Sequence, residues 1–346
     1  MAPRKKSERV TIRTVAEDAG VSVAAVSKVL RDAYGVSEAL RARVRSSMEK
    51  LGYRPHAAAR GMRGQTYTLG LIMPDIHNPF FTDILAGVNT ALERTQYQAL
   101  LGAGNSEPMQ EHALIEAMMD RQMDGILIIG PRISQDAIEA YATRIPITVI
   151  AQHARSEVYD TVNDDDALGA RLVVQHLAEQ GYRNIAMLSL AIRPVDSSAV
   201  TAQRELGYRR AMEEAGLKRF VRVASAEQTS REVQVTARRL LEGRPRPEAI
   251  FCWTDFIALE VLSVARDMGL NVPGDLAVVG YDNTGYCDLA QNALTSIDQS
   301  GQVLGLQAAR LLIERIKGRE TPEHFVVTPR LVARASSTAK RQGGAP

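Results

Sequence analysis

The chain has 346 residues, 45% of them hydrophobic and 24% charged, with two cysteines and a formal charge of +2. That length exceeds one ordinary domain and suits a small head on a body of one or two lobes. No apolar run reaches the ~18 residues of a membrane span and no signal-peptide core follows the basic N-terminus, so a soluble, cytoplasmic protein is expected.

The near-neutral total hides an asymmetry. Residues 1–63 carry fourteen Lys or Arg against six Asp or Glu, a net of +8, which leaves −6 on the remainder. A basic head on an acidic body is the footprint of a phosphate-binding module. Residues 1–8 form a charged arm suited either to phosphate contact or to plain solvation.

Residues 12–31, IRTVAEDAGVSVAAVSKVLR, carry the strongest local signal. Val15, Ala16 and Ala19 make an apolar stripe at helical spacing, which predicts a short amphipathic helix. Gly20 ends it, since glycine accepts the positive φ of a helix C-terminal cap, and Val21 can turn back into the core. Ser22 then supplies the N-cap of a second helix, with Val26, Val29 and Leu30 on its buried face. The other face carries Val23, Ala24, Ser27 and Lys28, small or hydrogen-bonding side chains that fit a major groove. This is the helix-turn-helix plan, whose second helix reads base edges. The competing reading is a helical hairpin inside a core, against which the local positive charge weighs.

Residues 37–53 predict a third helix capped by Ser37, with Leu40, Val44, Met48 and Leu51 closing a three-helix core. Residues 54–64, RPHAAARGMRG, describe a helix too brief to stand alone in water, or a plain linker.

From residue 67 the pattern changes to apolar runs alternating with amphipathic stretches. Strands are predicted at 68–73, 99–102, 125–129 and 147–150, and again at 185–190, 220–223, 249–252 and 276–280. Helices are predicted between them, among others at 81–95, 108–121, 169–180, 201–215, 231–242 and 256–268. Such alternation means parallel sheets with helices on both faces, and two sets mean two similar lobes that bind ligands at the carboxyl ends of their strands. The expected fold class is therefore a small all-α helix-turn-helix head followed by an α/β body of two doubly wound parallel-sheet lobes. Cys252 falls in a predicted strand and Cys287 in a loop, and both are expected as free thiols.

Polyol ligands need carboxylates or guanidinium groups that engage adjacent hydroxyls, plus an aromatic face for the C–H side of the ring. The strand ends supply them in Asp75, Phe80, Phe81 and Asp282, with Arg204 expected on the first turn of a helix. Phe81 has a competing role as core, and Asp255 reads as the N-cap of the helix that follows it.

The helical head, the LGYRP at 51–55 and an Ala-Ala-Arg segment ending in Met62 resemble the LacI/GalR family of bacterial transcriptional regulators. The body resembles that family too, through Asp75, Asn78, Pro79, Phe80 and Phe81, the segments 204–208 and 250–255, and VPGDLAVVGYDN at 272–283. The resemblance implies a two-lobed body of the periplasmic-binding-protein type behind the head. It implies a head at 1–53, a hinge helix and linker at 54–66, and a body at 67–339 followed by a tail at 340–346. The first lobe would span about 67–165 and 298–326 and the second about 166–297 and 327–339, with LTSIDQ at 294–299 returning the chain to the first.

In such regulators the hinge helices of two subunits pair on DNA and push an apolar side chain, usually leucine, into the minor groove; Met62 holds that position here. His56 stands where the family usually has asparagine, and Gly61 weakens the helix. The resemblance implies DNA contacts from Thr11, Arg13, Ser22, Val23, Ala24, Ser27 and Lys28, with His56, Ala59 and Met62 in the hinge. Lys28 is the expected guanine contact, and Val23 with Ala24 the apolar or shape readout. It implies effector contacts from Asp75, Phe80, Phe81, Arg204, Thr254, Asp282 and Gln299. Thr254 replaces a frequent asparagine, and Ala151 with Gln152 replace aspartate and arginine.

The six histidines are scattered, and no GxSxG, HExxH or phosphate loop occurs. The expectation is a ligand-responsive, sequence-specific DNA-binding regulator, a repressor of a carbohydrate or related catabolic operon and not an enzyme. It would act as a homodimer on an inverted repeat in double-stranded DNA, take a sugar or sugar acid as effector, and need no cofactor, metal or membrane. A regulator responding to a purine is the alternative. A plain solute-binding protein is the rival from another class, opposed by the basic head.

Overall fold

The computed structural model describes residues 10–30, 33–53, 65–191 and 199–338. It divides into two compact units, Met1–Thr66 and Tyr67–Pro346.

In the first unit, α1 (Ile12–Asp18), α2 (Val23–Leu30) and α3 (Glu38–Leu51) surround a small core. Val15, Ala16, Ala19, Val26, Val29 and Val44 are its buried centre, with Val21, Leu30, Leu40, Met48 and Leu51 packed around them. These are the positions that the helical spacing selects. Thr11 and Thr14 cap α1 reciprocally, and Ser37 caps α3 by accepting from the amide of Leu40 at 3.3 Å.

The second unit holds two six-stranded sheets. In chain order the first lobe runs β1 (Thr68–Met73), α4 (Phe80–Leu92), β2 (Gln98–Ala103), α5 (Pro108–Asp120), β3 (Gly125–Ile129), α6 (Gln135–Ala142), β4 (Ile147–Ile150) and β5 (Asp160–Asp164). The second runs α7 (Asp166–Glu179), β6 (Ile185–Leu190), α8 (Val200–Glu214), β7 (Arg222–Ala226), α9 (Ser230–Glu242), β8 (Ala249–Cys252), α10 (Asp255–Asp267), β9 (Ala277–Tyr281) and β10 (Thr295–Asp298). The chain then returns to the first lobe for α11 (Gly301–Ile316) and β11 (His324–Val327), and ends in the second with β12 (Arg330–Val332).

The sheet orders are β11-β5-β4-β3-β1-β2 and β12-β10-β9-β8-β6-β7, parallel throughout except for the antiparallel β10–β12 pair. The central strands β1, β3, β4, β6, β8 and β9 are almost wholly buried because helices cover both faces, so each lobe has two cores, one on either side of its sheet.

Two predicted features move. The strand expected at 220–223 lies at Arg222–Ala226, and Lys218–Phe220 forms a 3-10 turn instead. Tyr208 explains the shift: its hydroxyl donates to the Ile185 carbonyl at 2.7 Å and accepts from the Arg222 amide at 3.2 Å, setting the strand start on the far side of Phe220. Thr295–Asp298, expected to lead back to the first lobe, is a strand of the second sheet, and the return comes only after Gln299. β5, with the sequence DTVND, carries no apolar alternation and escapes pattern reading, yet it is buried throughout.

Candidate DNA-reading face and effector cleft

In the head, Gly20 takes φ +61° and lets the Val21 amide donate to the Ala16 carbonyl at 3.0 Å, which turns the chain between α1 and α2. The Ser22 hydroxyl accepts from the Ala25 amide at 3.1 Å, so Ser22 caps α2 as its sequence position suggests. Lys50 and Ser47 of α3 hold Asp18 at 2.6 and 2.8 Å, and these two hydrogen bonds keep its carboxyl below the usual range. Val23, Ala24 and Lys28 are exposed on one side of α2, and Thr11, Arg13 and Ser22 are exposed beside them in sequence.

Ser27 departs from expectation: it is only 7% exposed and belongs to the interior of the head rather than to the outer face. It lies three residues before Leu30, so the buried arc of the helix takes in this small side chain. His56, Ala59 and Met62 lie outside the described residues.

In the body, the carboxyl ends of the two sheets bring together residues scattered over more than 200 positions. Asp75 follows β1 and accepts from the amides of His77 and Asn78 at 2.7 and 3.0 Å, shaping the loop into α4. Asn78 then donates to an oxygen of Asp282, after β9, at 3.2 Å. Gln299, after β10, donates to the other oxygen of Asp282 at 2.5 Å. Asp282 holds φ +113°, rare for a residue with a side chain, and the two amides grip its carboxyl between the lobes. Burial, with the nearby Asp255 charge, pushes that carboxyl well above the usual carboxylate range.

A second cluster spans the crossing from β5 to α7. Arg204 is 2% exposed and donates from Nε and Nη2 to one oxygen of Asp166 at 2.9 and 2.6 Å, and from Nη1 to the Trp253 carbonyl at 2.6 Å. Its guanidinium stacks 3.5 Å from the centre of the Tyr281 ring and 4.9 Å from that of Trp253. His153 meets the other Asp166 oxygen at 2.7 Å, and Tyr281 donates to Asp164 at 2.6 Å. Burial and the Asp166 charge raise the Asp164 carboxyl to about 7 despite Arg204. Burial works against a charged His153, but its hydrogen bond to Asp166 and that carboxylate's charge prevail, so its pKa lies above 6.5.

Asp75 and Asp282 thus meet through Asn78 at the facing ends of the sheets, as the strand-end reading expects, with Gln299 on Asp282 and Arg204 near enough for its charge to act on that carboxyl. Arg204 sits one residue further into its helix than expected, as the fifth residue of α8, and is buried. Phe80 is 6% exposed and packs in the first lobe's core with Ile84 and Val88, one helical stripe apart, which leaves half-buried Phe81 as the aromatic at that end. The roles of Thr254 and Asp255 are exchanged: Thr254 is the N-cap of α10, accepting from the Ile257 amide at 3.3 Å, and its hydroxyl is thereby engaged. Asp255 is instead buried and accepts from Thr284, Cys287 and Ser296. Pattern reading did not single out Asp164, Asp166, His153 and Trp253, because polar residues acquire meaning there only through partners distant in sequence.

The sequence matches the family described as bacterial regulatory proteins, lacI family, over residues 11–56, and the periplasmic binding protein-like domain over 174–337. Catabolite control protein A of Priestia megaterium is 32% identical over 333 residues, 95% of this chain and 99% of that protein. The HTH-type transcriptional repressor CytR of Escherichia coli K12 is 31% identical over 92% of this chain and 93% of that protein. Among solved structures, the transcriptional regulator CelR in complex with cellobiose is 29% identical, with a TM-score of 0.70 and coverage of 95% of this chain and 100% of that one. With the helix-turn-helix head and the two-lobed body in place, the chain belongs to the LacI family of bacterial regulatory proteins and is a DNA-binding regulator of transcription rather than an enzyme.

Proposed function

We propose that this regulator is a homodimeric cytoplasmic repressor whose heads occupy the halves of an inverted repeat and whose body binds a polyhydroxylated effector between its lobes. The observation that carries the effector reading is the Asp282 carboxyl, held from both sides by Asn78 and Gln299. A ligand hydroxyl that takes over this carboxyl competes with Asn78, a contact between the lobes, and so alters their relative angle. A coupling of about 1–3 kcal/mol suffices to shift operator affinity by one to two decades. The cellobiose bound by CelR supports a sugar as the class.

With the chain crossing between the lobes near residue 165, after Gln299 and after Val327, Asp75, Phe81, Arg204, Asp282 and Gln299 are taken as the effector set. Thr11, Arg13, Ser22, Val23, Ala24 and Lys28 make up the head's DNA-contact set. Leu100 and Leu101, 50% and 54% exposed on edge strand β2, and exposed Tyr286 and Leu289 after β9 support a dimer surface.

Selection of bound sequences from random duplexes, repeated with sugars, sugar acids and purines, tests the reading. One inverted repeat whose retention changes with one ligand class is expected. Retention that depends on salt alone, with no sequence enriched, overturns it.

A further inference from the structure

Arg132 is the unexplained charge of the first lobe. It follows β3 by three residues, beyond Gly130 at φ +54°, and its own amide donates to Glu111 of α5 at 2.8 Å. The neighbouring Ile133 amide donates to the same Glu111 oxygen at 3.1 Å, so buried Glu111 fixes the path of this loop. The Arg132 side chain is half-buried, and its Nε is sealed from solvent without a partner. Among the described residues its guanidinium makes no hydrogen bond or ion pair. Asp75 and Glu111 are near enough for their charges to act on it, yet one Asp75 oxygen is taken by two amides and Glu111 is engaged by the loop.

Leaving such a group unpaired disfavours the folded state, because a buried donor that has lost water and gained nothing is destabilising. Burial accordingly draws the Arg132 guanidinium below its usual pKa. The contrast with Arg204 is direct. That guanidinium is ion-paired with Asp166 and bonded to the Trp253 carbonyl, so a carboxylate already matches its charge while two of its five N–H groups stay available to a ligand hydroxyl. Trp253 adds a second buried donor without a partner, its indole Nε1.

We infer that the effector is a polyol bearing an anionic oxygen group, a carboxylate or a phosphate, and that Arg132 is the residue that reads this charge while Asp75 and Asp282 take the hydroxyls. The inference rests on the cleft of the body being the effector site. A planar guanidinium with free donors matches an anionic oxygen pair, whereas a neutral sugar leaves the charge uncompensated.

The test is calorimetric titration of the full-length protein with matched ligands: glucose against glucuronate, gluconate and glucose 6-phosphate, and galactose against galacturonate. Operator retention is measured in parallel. At least one acid is expected to bind well above its neutral parent, and the carboxylates and the phosphate ester distinguish the two anion types. Arg132→Gln should weaken that acid by about 10- to 100-fold while changing the parent sugar by less than about 3-fold, and Arg132→Lys should recover part of the loss. Thermal unfolding of the ligand-free variants at or above the parent's midpoint separates recognition from folding.

Parent sugars that bind as well as the acids, acids that do not bind at all, or an acid preference that survives Arg132→Gln overturn the inference. A neutral sugar that releases the operator overturns it while leaving the regulator reading intact. An acid that binds through Arg132 without moving operator affinity upholds it and instead defeats the reading of the cleft as the control site.

Discussion

Lys28 stands exposed on α2 between the buried Ser27 and Val29, so its side chain does nothing for the core of the head. Lys28→Ala should therefore leave the folding of the head unchanged and lower specific operator affinity by about 10-fold or more, the usual discrimination of one good base contact. Footprinting checks this, and an unaltered footprint removes Lys28 from the base-reading set. Residual binding should keep its steep salt dependence, since the phosphate contacts remain.

Asp160 is the opposite kind of residue. It is fully buried at the start of β5 and accepts two hydrogen bonds each from Arg315 and Arg319 and one from the Glu323 amide. Burial alone raises a carboxyl, but these bonds outweigh it and hold Asp160 below the usual range. A depressed folded pKa means stability that is present above the unfolded value near 3.8 and lost as pH falls through the folded value. Asp160→Asn should cost about 3 kcal/mol near neutral pH, leaving two guanidinium groups poorly matched, and should flatten the acid limb of a urea-unfolding series. Equal midpoints for the two proteins across the pH series contradict this.

At the scale of elements, the contact between α4 and α11 depends on two glycines. A methyl group on Gly305 meets the Ile84 carbonyl oxygen, and one on Gly87 meets that of Gln302, so the two backbones approach without side chains between them. α11 supplies Leu304, Ala308, Ala309, Leu311 and Leu312 to the first lobe's core although it follows the whole second lobe in sequence. Gly305→Ala gains helix propensity but must separate these helices, so a net loss of about 1–3 kcal/mol is expected by thermal unfolding. A midpoint equal to or above that of the parent places the contact elsewhere.

For the whole molecule, edge strand β2 has no strand on its outer side among the described residues and exposes Leu100 and Leu101, with Met109 83% exposed at the start of α5. An apolar edge of this kind invites pairing with another copy. If the proposed homodimer pairs through this edge, Leu101→Asp should give a monomer in sedimentation at micromolar protein and weaken binding to a full inverted repeat more than to a half-site. A variant that stays dimeric moves the interface to another face.

Local chemistry reaches the reader from sequence wherever a residue acts on near neighbours. Gly20, Ser22 and Ser37 announce turns and caps because their work is done within four positions, and the apolar runs of β1, β3, β4, β6, β8 and β9 announce buried parallel strands because both faces are covered. The head, the two-lobed architecture and the strand-end position of Asp75 and Asp282 follow from such signals, whereas the family came from the resemblance of motifs such as LGYRP and VPGDLAVVGYDN. Only the tertiary structure decided the rest: that DTVND is a strand, that Ser27 turns inward, that Thr254 caps while Asp255 is buried, and that Arg204 is paired with Asp166 whereas the Arg132 guanidinium has no such partner among the described residues. The strand shows why: Asp160 is sorted by Arg315 and Arg319, 155 and 159 positions away. Burial of a charge is a property of the pair, and a linear sequence displays the members without the pairing.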